Sequence, residues 1–82
     1  MIKRTFDIKT DVVVDGIKYL LSTVELLYCY DYKYETMLFA YEGDEVCYRD
    51  LYCQRYMTKR EASLGHINLV IRMVRGEKIW ER

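Results

Sequence analysis

The chain has 82 residues; 51% are hydrophobic, nine are tyrosine and none is proline, and 13 Lys+Arg balance 13 Asp+Glu. Such a length makes one domain, 1–82, that hides only about 60% of the surface its unfolded form exposes, while the lack of Pro and scarcity of Gly argue against disorder. Zero net charge lacks both the basic excess of a general nucleic-acid binder and the acidic excess of a DNA mimic. No apolar run approaches the roughly 18 residues of a membrane span, and residues 1–7 turn charged and alternating at once, unlike a signal peptide. A cytoplasmic setting with reduced thiols is the expectation, since three cysteines make neither an even nor a densely spaced disulfide framework.

The first fourteen residues alternate. Ile2, Phe6, Ile8, Val12 and Val14 share one parity and Lys3, Thr5, Asp7, Lys9 and Asp11 the other, the pattern of a half-buried strand. Asp15-Gly16 follows as a two-residue hairpin turn needing positive φ at both centres. Folding about it sets Val14 against Ile17, Val12 against Tyr19, Ile8 against Thr23 and Phe6 against Glu25, where pairing should end or bulge.

In segment 27–33 tyrosines alternate with Cys29, Asp31 and Lys33, a ladder if extended and an exposed loop otherwise. Residues 34–41 read as a third strand and Glu42-Gly43-Asp44-Glu45 as the turn after it. Residues 46–56 read as a fourth strand with Tyr48, Tyr52 and Tyr56 on one side, although Asp50 shares their parity and disturbs the pattern. Thr58-Lys59-Arg60-Glu61 is a capping box, and helical periodicity runs to about Val74 with Gly76 as a C-terminal cap. Glu61, Asn68, Arg72 and Arg75 form one narrow polar stripe, and the apolar arc is wider than the roughly 100° that a single sheet covers. The surplus must meet the tail bearing Ile79 and Trp80, or another chain. The predicted fold is α+β: an antiparallel sheet of about four strands with one C-terminal helix packed on it.

Chemistry-bearing motifs are sparse. Three Cys and one His are zinc-ligand types, but structural zinc sites use short knuckles such as C-x-x-C, whereas five residues separate Cys47 from Cys53 and Cys29 lies far away. The ordinary reading is buried or half-buried thiols that pack as small hydrophobes. His66 could approach a strand cysteine, yet no orienting group or oxyanion motif accompanies it. A packed, hydrogen-bonded histidine is expected, next to a Gly65 that permits close backbone approach. The isolated glycines make no phosphate loop. No catalytic residue, metal or cofactor is assigned, and the chain does not read as an enzyme.

Tyrosine is amphipathic and enriched at interfaces. Tyr19, Tyr48 and Tyr56 read as core, whereas Tyr28, Tyr30, Tyr32 and Tyr34 read as a recognition segment. Combined with the acidic turn Glu42, Asp44 and Glu45, that segment is the candidate partner-binding surface. Leu64, Ile67, Ile71 and Val74 on the broad apolar helix face are the candidate homodimer interface.

Tyr34-Glu35-Thr36-Met37-Leu38-Phe39, then Arg55-Tyr56-Met57-Thr58 and Glu61-Ala62 through Gly65-His66, resemble a group of small proteins of phages and prophages of Gram-positive bacteria. The shared pattern is an ETM-aliphatic-F strand, an RY-x-T strand end and a GH, covering residues 34–70. Lys59 and Arg60 depart from it, standing where acidic residues are usual. The resemblance implies a mobile-element origin in a bacterial host cell, not a mechanism. By analogy of origin and size, it implies a stoichiometric inhibitor of a bacterial protein complex, such as an anti-CRISPR protein acting on a defence effector. A second expectation is a sponge for nucleotide signals with a tyrosine-lined pocket. A third, against which neutral charge counts, is nucleic-acid binding through Lys59, Arg60, Arg72 and Arg75.

Overall fold

A computed structural model describes residues 6–27 and 31–81. Four strands, β1 (Asp7–Val14), β2 (Ile17–Glu25), β3 (Tyr34–Glu42) and β4 (Glu45–Tyr56), precede one helix, α1 (Lys59–Val74). The strands form an antiparallel meander in the order β1-β2-β3-β4, and α1 packs on one face of it. This is the predicted α+β architecture.

The first hairpin follows from its turn. Asp15 and Gly16 both adopt positive φ, 51° and 78°, which matches the twist of the flanking strands and fixes Val14 opposite Ile17, Val12 opposite Tyr19 and Ile8 opposite Thr23. The β1–β2 ladder ends where the polar pairing suggests: the Glu25 amide donates to the Phe6 carbonyl at 3.0 Å.

β4 departs from the sequence reading. Tyr52 lies opposite Leu38, but Cys47 lies opposite Ala40, so extra β4 residues bulge out across from Phe39. A bulge changes which face the following residues occupy. Tyr52 and Tyr56 face the helix side, while Tyr48 turns to the other side, its ring 5.2 Å from that of Phe39. Tyr48 is therefore not a core residue: it is 77% exposed, whereas Tyr19 and Tyr56 are buried as expected.

Helix α1 begins with the complete capping box: the Glu61 amide donates to the Thr58 hydroxyl at 3.1 Å, and the Thr58 amide donates to the Glu61 carboxylate at 3.1 Å. It ends with the Gly76 amide donating to Met73 and the Glu77 amide to Arg72, the paired bonds of a Schellman motif. Its inner stripe buries Ala62, His66, Leu69 and Met73. Leu69 and Met73 join Val12, Leu21 and Leu38 in the larger core cluster, which the tail closes with Ile79 and with Trp80 against Tyr19 at 4.6 Å. Ala62 belongs to a smaller cluster with Phe6 and Tyr56.

A polar seam separates the two clusters. The His66 ring meets Thr10 Oγ1 through Nε2 at 2.8 Å and Thr23 Oγ1 through Nδ1 at 2.7 Å, and Thr23 in turn meets Thr36. Every buried polar atom of the ring is thereby matched. Burial pushes the His66 pKa below its ordinary value, so the neutral ring donates from one nitrogen and accepts at the other. The expected packed histidine is what the fold contains.

Candidate binding face on the open side of the sheet

The helix covers one face of a sheet whose central strands are apolar on both. In β2, Tyr19 and Leu21 point to the helix while Leu20 and Val24 point away. In β3, Leu38 points to the helix while Met37 and Phe39 point away. Strands apolar at both parities belong to sheets covered on both sides, and here no second covering layer is found among the described residues.

The uncovered side is concave. A hollow of about 310 Å³ has Val24, Met37 and Phe39 as its apolar floor and Lys9, Ser22 and Glu35 along its sides, with Tyr48 leaning over it from the β4 bulge. Phe39 is only 8% exposed and Leu20, beside it on β2, 7%, while Tyr48 above Phe39 is largely in solvent. An apolar centre with a polar margin is the composition of a recognition surface.

Charge is arranged around that centre. The Glu35 carboxylate is nearly buried and accepts from Arg55 Nε at 2.8 Å. It also accepts from the Cys53 thiol at 3.5 Å. Burial and the Glu35 charge push the Cys53 pKa up, so the thiol stays protonated, the reverse of what an activated cysteine needs. Lys9 pairs with Asp7. The Tyr41 hydroxyl donates to Asp11 at 2.5 Å, which raises the Tyr41 pKa, and Lys18 sits 4.3 Å above its ring.

Several residues singled out in the sequence fall elsewhere. Tyr28 and Tyr30 lie outside the described residues, as does Cys29. Tyr32 is exposed, but Tyr34 is half-buried, its ring packed edge-on against Phe6 at 5.3 Å on the helix side. Glu42, Asp44 and Glu45 are exposed at the β3–β4 turn. The turn and Tyr32 lie beyond opposite ends of β3, a strand about 26 Å long at 3.3 Å per residue, so the fold does not gather them into one compact patch. Leu64, Ile67, Ile71 and Val74 do line up, all exposed on the outer side of α1.

Cys47 is half-buried, but Cys53 is exposed rather than packed inside. Among the described residues no three His, Cys, Asp or Glu side chains converge as metal ligands do. His66 sits on the helix side of the sheet and Cys53 on the other, so the two form no nucleophile pair. The four basic residues proposed for nucleic acid are also dispersed. The Lys59 amine lies 5.7 Å over the Phe6 ring at the start of α1, while Arg72 pairs with Glu77 at its end. No helix among the described residues is long and apolar enough to cross a membrane.

The open-face residues Leu20, Met37, Phe39 and Tyr48 were not among the sequence candidates. A signal for three of them is present: Leu20-Leu21 and Met37-Leu38-Phe39 are continuous apolar runs in strands otherwise bounded by turns, the mark of two-sided burial. Nothing local marks Tyr48, because its face is decided by the bulge. No protein-family model, no curated protein and no solved structure matches the chain.

Proposed function

We propose that this chain is a non-enzymatic binding module that inhibits a bacterial protein complex by stoichiometric contact through the open face of its sheet. The observation that carries the reading is the mismatch between a sheet apolar on both sides and a helix that covers only one, leaving Phe39 and Met37 under an exposed Tyr48. A partner surface that inserts into the hollow desolvates Tyr48, whose ring is already seated on the buried Phe39, the arrangement from which binding hot spots are made. The ion pair of Glu35 and Arg55, with Lys9 and Asp7, supplies the polar margin that fixes register. That the partner is a host-defence effector, as for anti-CRISPR proteins, rests on the resemblance of residues 34–70 to phage and prophage proteins, and on nothing else. Tyr32 and the acidic turn extend the contact only for a partner long enough to follow β3.

The test compares parallel captures from a Gram-positive host lysate on the unmodified chain and on Tyr48→Ala. A partner retained by the former at one-to-one stoichiometry and lost by the latter supports the reading. A partner held equally by Tyr48→Ala would remove the open face from it.

The same hollow supports a second reading, in which Tyr48 stacks on a small ring-bearing ligand such as a nucleotide signal. Native mass spectrometry of freshly purified protein separates the two. An adduct of a few hundred daltons that Tyr48→Ala lacks favours the ligand, and a clean apo-protein favours the protein partner.

A further inference from the structure

We propose that the outer stripe of α1 is a self-association surface on which a second copy of this chain docks helix to helix, antiparallel. Leu64, Ile67, Ile71 and Val74 are 44–69% exposed. Their spacing of three, four and three is the a–d–a–d seam of two heptads, the pattern of a helix that pairs with another helix. The seam lies about 150° around α1 from the stripe that packs on the sheet, at 3.6 residues per turn. The C-terminal tail does not reach it, because Ile79 is buried in the core and Trp80 rests on Tyr19.

Charge selects a second copy and its direction. In an antiparallel pair an a position faces a d position, which sets Leu64 against Val74 of the second copy and Ile67 against Ile71. The same register brings Glu61, beside the seam at one end of α1, opposite Arg75 of the second copy, and does so twice about the two-fold axis. Asn68 falls at the centre, facing its own counterpart. Arg60 lies exposed in the first turn, where its own helix dipole opposes a positive charge. It comes instead to the carbonyl end of the other helix, where that charge is favourable. A parallel pair would align like dipole ends and leave Arg75 facing only Val70.

The seam is short, so association is expected in the micromolar range or weaker. Sedimentation velocity over a concentration series up to about 1 mM tests it, with no binding partner required, so failure of the proposed function leaves this result standing. A monomer–dimer equilibrium is expected for the unmodified chain. Ile67→Asp and Ile71→Asp should each give monomer at every concentration, and their far-ultraviolet circular dichroism should match that of the parent because both positions are solvent-facing. Arg75→Glu turns two attractions into repulsions and should weaken the dimer about tenfold. A monomer throughout for the unmodified chain would overturn the proposal, as would a dimer that survives Ile67→Asp. An Arg75→Glu dimer of parental affinity would overturn the antiparallel register.

Discussion

The ring of Tyr56 occupies the space that a Cβ at position 65 would need: a Cβ built on Gly65 falls 2.5 Å from Tyr56 Cε1 and from its hydroxyl oxygen. Helix and β4 therefore approach as closely as they do only because residue 65 has no side chain. Alanine raises helix propensity by at most about 1 kcal/mol over glycine, while forcing a buried aromatic aside costs about 1–3 kcal/mol. Gly65→Ala should lower the unfolding free energy, as read by the denaturant midpoint. An increase would mean that Tyr56 has room to swing away.

The hydroxyl of the same ring, beside Thr36, is buried with no aligned hydrogen-bond partner among the described residues, and burial raises its pKa. Tyr56→Phe removes a desolvated group and little else. Stability should be unchanged or higher by up to about 1 kcal/mol, so a loss beyond that in thermal or chemical unfolding would show that the hydroxyl has a partner after all.

His66 predicts the acid response. Its pKa is depressed in the folded state by burial, so below the ordinary value of about 6.5 the unfolded chain binds more protons than the folded one. Stability contributed by the neutral ring is then full above that pH and falls as the solution is acidified through it toward the depressed value. Melting temperature measured from pH 8 to pH 5 should decline in that window. His66→Gln should be less stable at pH 8 by about 1–3 kcal/mol, because Thr10 and Thr23 lose partners, and its decline between pH 6.5 and pH 5 should be shallower. Equal slopes for both proteins would assign the acid response to other groups.

Tyr48→Ala should separate recognition from folding. The side chain is 77% exposed, so its removal should shift the denaturation midpoint by no more than about 0.5 kcal/mol while reducing partner affinity at least tenfold, the signature of a hot spot. Phe39→Ala, on the floor beneath it, should instead destabilise by about 3 kcal/mol or more. If the two behaved alike in unfolding, Tyr48 would be part of the folded core's support.

What could be read from the chain depended on how local the cause was. Asp15-Gly16 dictates its turn by backbone sterics alone, and from it the β1–β2 register follows residue by residue. Thr58 and Glu61 cap α1 through bonds three residues apart. The open face was harder to see because it is a statement about what is missing. Leu20, Met37 and Phe39 look like core residues in sequence, and only the position of α1 shows that among the described residues no second layer of secondary structure lies over their side of the sheet, where Tyr48 covers Phe39. Tyr48 was misassigned for a different reason: strict alternation carries a side chain's face from one residue to the next only while the ladder is unbroken, and β4 breaks opposite Phe39. Tyr34, read both as the start of the third strand and as part of the recognition segment, is half-buried because β3 begins there and turns it toward Phe6.

The irregularity in β4 has a bearing on how copies of this chain meet one another. β4 is an outer strand, and an outer strand offers unpaired amides and carbonyls to any passing extended segment. With the ladder interrupted between Leu38 and Ala40, that row of groups is not continuous, so a foreign strand finds only short stretches to zip against. The opposite margin, β1, carries Asp7, Lys9 and Asp11 at alternate positions, charges that a growing ribbon would have to accommodate. A tyrosine-rich, strand-rich chain is thereby discouraged from polymerising edge to edge, and its contacts with other molecules are directed to its faces.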